Sequence, residues 1–239
     1  MSADLLRLLL ETTLATSAAA LLVLALRRLL MARLGARVAY AAWMLVPVSA
    51  LAMLLPAPQA ATMPMARVVQ AVALHPLQPV QSAASLSWTS LALALWALGA
   101  VATVALFVRQ QWRFQRRLAD SAPRDDGLRI ARTSEGLPAV VGLLRPRIVL
   151  PADFDARYDA TERELILCHE RIHVARRDLW ANAVAAALRA LFWFNPLLHH
   201  AARRFRRDQE LACDERVVAR HPQRRRSYAD AMLKTQMAD

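Results

Sequence analysis

Five consecutive residues, His169-Glu170-Arg171-Ile172-His173, carry the most legible chemistry in this chain. Histidines at i and i+4 project from one face of a helix, close enough for two imidazoles to hold one zinc ion. The glutamate beside the first histidine is placed to take a proton from a metal-activated water. Zinc-dependent proteases use this H-E-x-x-H grouping to cut peptide bonds. A catalytic zinc needs a third protein ligand and leaves its fourth position to water. The run Arg207-Asp208-Gln209-Glu210-Leu211-Ala212-Cys213-Asp214-Glu215 offers one. Glu210 and Asp214 are spaced i, i+4, so one carboxylate can bind metal while the other accepts from a ligand histidine. Cys168 and Cys213 flank the two motifs. Cys168 points about 100° away from His169 on a helix, and in a reducing cytoplasm both cysteines read as packed free thiols. His199-His200, Arg206 and Arg207 are candidates for stabilising an oxyanion, against a plainer reading as surface residues.

These residues need elements that bring them together. Thr161 and Glu164 read as a capping box that starts a helix, and no Gly or Pro interrupts residues 161–182. Leu165, Ile166, Leu167 and Ile172 give that helix an apolar side. The apolar segment from Leu179 to Leu198 is nearly long enough to cross a bilayer. A single crossing would put His169 and Glu210 on opposite sides, and Arg189 in its middle would be costly to bury in lipid. The spacing therefore predicts a buried or in-plane helix over 179–194, a turn at Asn195-Pro196, and a second helix over about 197–220 that returns Glu210 to the metal. Asp178 reads as the cap of the first of these helices or as an acceptor behind the site. Upstream, Asp125-Asp126-Gly127 is a turn signal. Leu128–Ala131, Ala139–Gly142 and Arg147–Leu150 are β-like runs that predict a small sheet, to whose edge an extended substrate could add.

Composition supplies the setting. The chain has 239 residues, is 56% hydrophobic, and still carries a formal net charge of +12. That combination fits a membrane protein with basic flanks better than a soluble enzyme. A nucleic-acid binder is the rival for a basic chain, but the arginines lie beside apolar segments without interleaved aromatics, so no direct nucleic-acid binding is expected. Three segments are long enough to span, at about 8–26, 38–55 and 86–108. The first has Asp4 before it and Arg27-Arg28 after it, unlike a cleaved signal peptide. Arg27, Arg28, Arg33 and Arg37 lie between spans one and two, and Arg109, Arg113, Arg116 and Arg117 follow span three. The positive-inside rule then puts the N-terminus outside and everything after Val108 in the cytoplasm. Residues 56–85 read as an irregular outer loop, and 109–122 as a basic juxtamembrane helix. The division is a transmembrane region, 1–117, and a protease domain, 118–239.

With these pieces in order, the chain resembles the BlaR/MecR-type integral-membrane zinc metallopeptidases, the antirepressor proteins of bacterial β-lactam sensing. The resemblance rests on His169–His173, Trp193-Phe194-Asn195-Pro196, Glu210–Glu215, and the stretch Pro138–Pro151. It implies a mainly α membrane protein, with three N-terminal transmembrane helices followed by a cytoplasmic α+β gluzincin-like zinc metalloprotease domain with a small β-sheet. It also implies zinc on His169, His173 and Glu210, Glu170 as general base, and Asp214 behind a ligand histidine. Asp208 and Glu215 compete with Glu210. The implied setting is the bacterial inner membrane, and the implied substrate a cytoplasmic regulatory protein such as a transcriptional repressor. In that family a further span follows the catalytic part, so the sequence is expected to be truncated before it. Two alternatives stay open: a quality-control or prenyl-processing membrane protease, and a non-enzymatic signalling module with a vestigial zinc site.

Overall fold

The computed structural model describes residues 1–55, 87–124 and 126–237. The outer loop expected over 56–85, and Asp125 of the turn signal, fall outside them. The longest element, α1 (Ser2–Leu34), contains the first expected span. It stops at Gly35, whose φ of 90° suits only glycine, and whose hydrogens leave room for the Glu215 carboxylate: a Cβ would meet both of its oxygens at 3.1 Å. That carboxylate accepts from the amides of Ala36 (2.6 Å) and Arg37 (3.1 Å), capping the next helix with the charge its N-terminus favours.

The second expected span is not one continuous α-helix. It runs as α2 (Ala36–Ala41), a 3-10 turn (Ala42–Met44) and α3 (Leu45–Ala52). Pro47 has no amide to bond the carbonyl of Trp43, and the helix tightens just there. Helix α4 (Trp88–Arg117) contains the described part of the third expected span and continues into the basic juxtamembrane stretch. Among the described residues, α1 and α4 are the two helices long and apolar enough to cross a membrane, and Ala36–Ala52 is shorter. No residue of α4 is buried, so the apolar part of this helix ahead of Arg109 stays largely exposed.

Four short strands follow: β1 (Ala122–Pro123), β2 (Arg129–Ile130), β3 (Ala139–Val141) and β4 (Arg147–Leu150), in the order β1-β2-β4-β3. β2 and β4 are parallel and the outer pairings antiparallel. The sequence predicts three of these; β1, two residues ending in proline, has no pattern to read. After the one-turn α5 (Phe154–Arg157) comes the motif helix α6 (Ala160–Ala175). Its capping box is Asp159 and Glu162, two residues earlier than the expected Thr161 and Glu164. Asp159 accepts from the Glu162 amide at 2.8 Å, and Glu162 accepts from the Asp159 amide at 3.0 Å. Glu162 is further fixed by Lys234.

Helices α7 (Asp178–Leu191) and α8 (Pro196–Arg220) fall where one helix before Asn195-Pro196 and a second, returning helix after it are expected, and α9 (Arg225–Gln236) closes the described chain. Fourteen residues give α7 a length of roughly 21 Å, short of a hydrocarbon core of about 30 Å. Asn195 starts α8 by accepting from the amides of Leu197 and Leu198, with Pro196 at the first helical position. Its amide also donates to Ser17 of α1 at 2.8 Å. Trp193, in the same corner, donates to the Trp96 carbonyl, and Trp96 returns a bond to that of Leu191. Gly99 permits this: a Cβ there would lie 2.1 Å from the Trp193 ring. The α7–α8 corner is thus seated against the middle of both long apolar helices. Ala20, Val23, Trp43, Val46, Phe192, Leu198 and Ala201 form one core across this junction. A second core joins the sheet to α6 and α9, and a third, of Leu165, Ile172, Cys213, Val217 and Tyr228, binds α6 to α8 and α9.

Candidate metal centre

Helices α6 and α8 bring the two sequence motifs face to face. The Nε2 atoms of His169 and His173 lie 2.9 Å apart, and Oε2 of Glu210 is 3.4 Å from each. Ligand atoms around a tetrahedral zinc, each about 2.0–2.1 Å from it, stand about 3.3–3.4 Å apart. Two imidazole nitrogens and one carboxylate oxygen at these separations fit such an ion, with the His–His edge contracted to hydrogen-bond length. The Glu210 side chain is 53% exposed, which leaves that side of the triangle open to water and substrate.

Each histidine is oriented through its other nitrogen. Nδ1 of His173 meets Oδ2 of Asp178 at 2.6 Å. Nδ1 of His169 meets the Tyr228 hydroxyl at 2.7 Å, and that hydroxyl donates to Asp214 at 2.6 Å. Asp214 therefore reaches His169 chiefly through Tyr228, its own oxygen standing 3.4 Å away. Such partners fix tautomer and ring angle so that both Nε2 lone pairs can face one ion. Burial disfavours charge on His173, but hydrogen bonding to Asp178, and then to Cys213 and Glu210, outweighs it and pushes its pKa up to about 11. Glu170 is buried beside the pair, and burial raises its pKa despite the nearby histidines. A carboxyl raised toward neutrality is suited to taking up a proton and giving it back.

The competing acids are engaged elsewhere. Asp208 is fully buried against Arg27 and Trp43, and Glu215 caps α2. His199 bonds the Trp193 carbonyl at 2.8 Å, and His200 meets Arg204 on its own helix. Cys168 lies off the site, as its position on the helix predicts. Cys213 does not: its sulfur lies within 4.8 Å of a ring nitrogen of both His169 and His173, and it donates to the His169 carbonyl at 3.3 Å. Cys213 is i+3 from Glu210 on α8, and that spacing is the signal in the sequence that points to it. Tyr228 carries no such signal, because only the fold of α9 brings it to His169.

Comparison with known proteins gives this arrangement a family. Residues 7–239 match the family described as BlaR1 peptidase M56. The chain belongs to that family. It is 33% identical over 81 residues to the regulatory protein BlaR1 of Bacillus licheniformis, a stretch that covers 34% of this chain and 13% of that protein. It is 35% identical over 100 residues to the methicillin resistance mecR1 proteins of Staphylococcus aureus and Staphylococcus epidermidis, covering 41% of this chain and 17% of theirs. The matched stretches are thus less than a fifth of these BlaR1 and MecR1 relatives. The M56 peptidases are metallopeptidases, in keeping with the metal-ligating character of the cluster.

Proposed function

We propose that the chain is an integral-membrane zinc metalloendopeptidase that cleaves a cytoplasmic regulatory protein, such as a transcriptional repressor, in transmembrane signalling. The observation that carries this reading is the triangle of His169 Nε2, His173 Nε2 and Glu210 Oε2 beside buried Glu170. In this reading those three side chains hold the ion and Asp214 stands behind His169. A zinc ion held there supplies a Lewis acid that polarises a peptide carbonyl and acidifies water. Glu170 accepts the proton of the attacking water and delivers it to the departing amine. Strand β3 is an edge of the sheet and packs against α6, so an extended substrate can pair with it and pass over the site.

The same reading divides the chain into a membrane region, 1–117, and a protease domain, 118–239, in a bacterial inner membrane. Residues 8–26, 38–55 and 86–108 are the three spans, with the N-terminus outside. α8 packs where Arg27 and Arg37 lie, so the arginine-rich, cytoplasmic end of the first span and the metal centre share one side.

The closeness of Cys213 favours a second reading. With sulfur as fourth ligand the site would be closed and structural, and the chain a non-enzymatic signalling module. Zinc content and peptide cleavage in liposomes separate the two. We expect stoichiometric zinc in wild type, Glu170→Ala and Cys213→Ala, with cleavage lost only in Glu170→Ala. Loss of zinc in Cys213→Ala, or cleavage surviving Glu170→Ala, overturns the catalytic reading.

A further inference from the structure

Hydrogen bonds join the surroundings of both halves of the candidate metal centre to one atom that neither motif contains. Asp178, which holds His173, is only 2% exposed, and its second oxygen, Oδ1, accepts from the Tyr40 hydroxyl at 3.1 Å. The same hydroxyl accepts from Nε2 of Gln209 at 2.9 Å. Gln209 is itself buried and immediately precedes Glu210 in α8. A single oxygen thus joins the acceptor of one candidate ligand to the chain neighbour of another. The Tyr40 ring is held independently of its hydroxyl: the Arg176 guanidinium sits 4.4 Å above its centre, and Phe205 packs at 5.5 Å.

We propose that Tyr40, supplied by α2 at the start of the second apolar segment, is a positioning residue of the metal centre. It sets the spacing between His173 and Glu210 through Asp178 and Gln209. The inference rests on the reading of His169, His173 and Glu210 as the metal ligands. Its physical basis is the demand on Asp178. That carboxylate must keep Oδ2 on the His173 ring while buried, and a donor on Oδ1 stops it from rotating. Without that donor the carboxylate turns, the imidazole follows, and Gln209 loses its acceptor, which loosens α8 one residue before Glu210.

The test is metal affinity of the full chain in detergent micelles, by chelator competition with zinc, together with the visible spectrum of the cobalt-substituted protein. Tyr40→Phe keeps the ring and removes only the bridge. We expect zinc affinity about tenfold weaker, at the low end for an outer partner of a ligand, with a changed cobalt spectrum. Gln209→Met cuts the other end of the bridge, leaves the Tyr40 side chain intact, and must shift affinity the same way should Tyr40→Phe fail to fold. Trp43→Phe removes a hydrogen bond from the same membrane-side region to Asp208, outside the bridge, and should leave affinity and spectrum unchanged. Wild-type affinity in Tyr40→Phe, or an equal loss in Trp43→Phe, overturns the role of Tyr40 while leaving the site intact. Zinc binding that survives His173→Ala together with Glu210→Ala overturns the site, and the role of Tyr40 with it.

Discussion

His173 holds Asp178 at 2.6 Å across the break between α6 and α7, five residues along the chain. Arg177, with a φ of 58°, makes the turn that allows it, and Asp178 opens α7 where the helix dipole favours a negative charge. Arg176 adds a cation 3.3 Å from the same oxygen. The carboxylate is thus buried and aimed at one ring nitrogen. Asp178→Asn keeps the shape and removes the charge, and is expected to weaken zinc affinity about 10- to 100-fold. Equilibrium dialysis against zinc measures this, and an unchanged affinity would show that Asp178 serves only the fold.

Much of this arrangement is legible in the sequence, and the boundary of legibility is physical. His169, Glu170 and His173 are readable because helix geometry fixes residues four apart, and Glu210 and Asp214 for the same reason. The run of α7 and α8 follows from the requirement that both motifs share one ion, with Asn195-Pro196 marking the corner. What is hidden depends on contacts between residues far apart in sequence. Tyr228 reaches His169 across 59 positions, and Tyr40 reaches Asp178 across 138. No local pattern announces either. The misplaced capping box is a different failure: Thr161 and Asp159 both head plausible boxes, and the interaction of Lys234 with Glu162 favours the earlier one.

The centre should be pH-sensitive in a defined direction. Burial opposes charge on His173, but hydrogen bonding to Asp178, and then to Cys213 and Glu210, outweighs it and raises the pKa of the His173 proton to about 11. A raised pKa in the folded protein means that this proton stays bound through neutral pH and is lost only as the pH nears that value. Zinc must displace it. Zinc affinity is therefore expected to rise about tenfold per pH unit between about pH 7 and 9, rather than level off above the ordinary histidine range. Chelator competition across that interval checks it, and a flat profile would exclude a proton held by His173 through neutral pH.

Gly35 offers a test of the junction between α1 and α2. Its φ of 90° and ψ of 170° lie in a region that L-residues avoid, and a Cβ there would press on both Glu215 oxygens. Gly35→Ala is expected to cost about 1–3 kcal/mol in unfolding free energy. Adding Glu215→Ala relieves the crowding and leaves the backbone strain. The double variant should therefore cost less than the sum of the two single ones, and simple additivity in thermal unfolding would disprove the contact.

Asp208 gives the most demanding test, because its carboxylate is fully buried and faces α1 two residues before Glu210. Arg27 donates to it through Nε at 2.9 Å and through Nη2, and Trp43 donates through Nε1 at 2.8 Å. Taken alone, such a pair is weak evidence for stability, since removing two charges from water costs about as much as their attraction returns. Removing one partner is different. Arg27→Met leaves a buried carboxylate with a neutral indole as its remaining donor, and should destabilise the protein by about 3–5 kcal/mol. Arg27→Met with Asp208→Leu removes both charges and should recover most of that loss. Unfolding in detergent, compared across the two single variants and the double, measures the coupling. A single variant within about 0.5 kcal/mol of wild type would place Asp208 in contact with water and remove it as the link between α1 and the helix that carries Glu210.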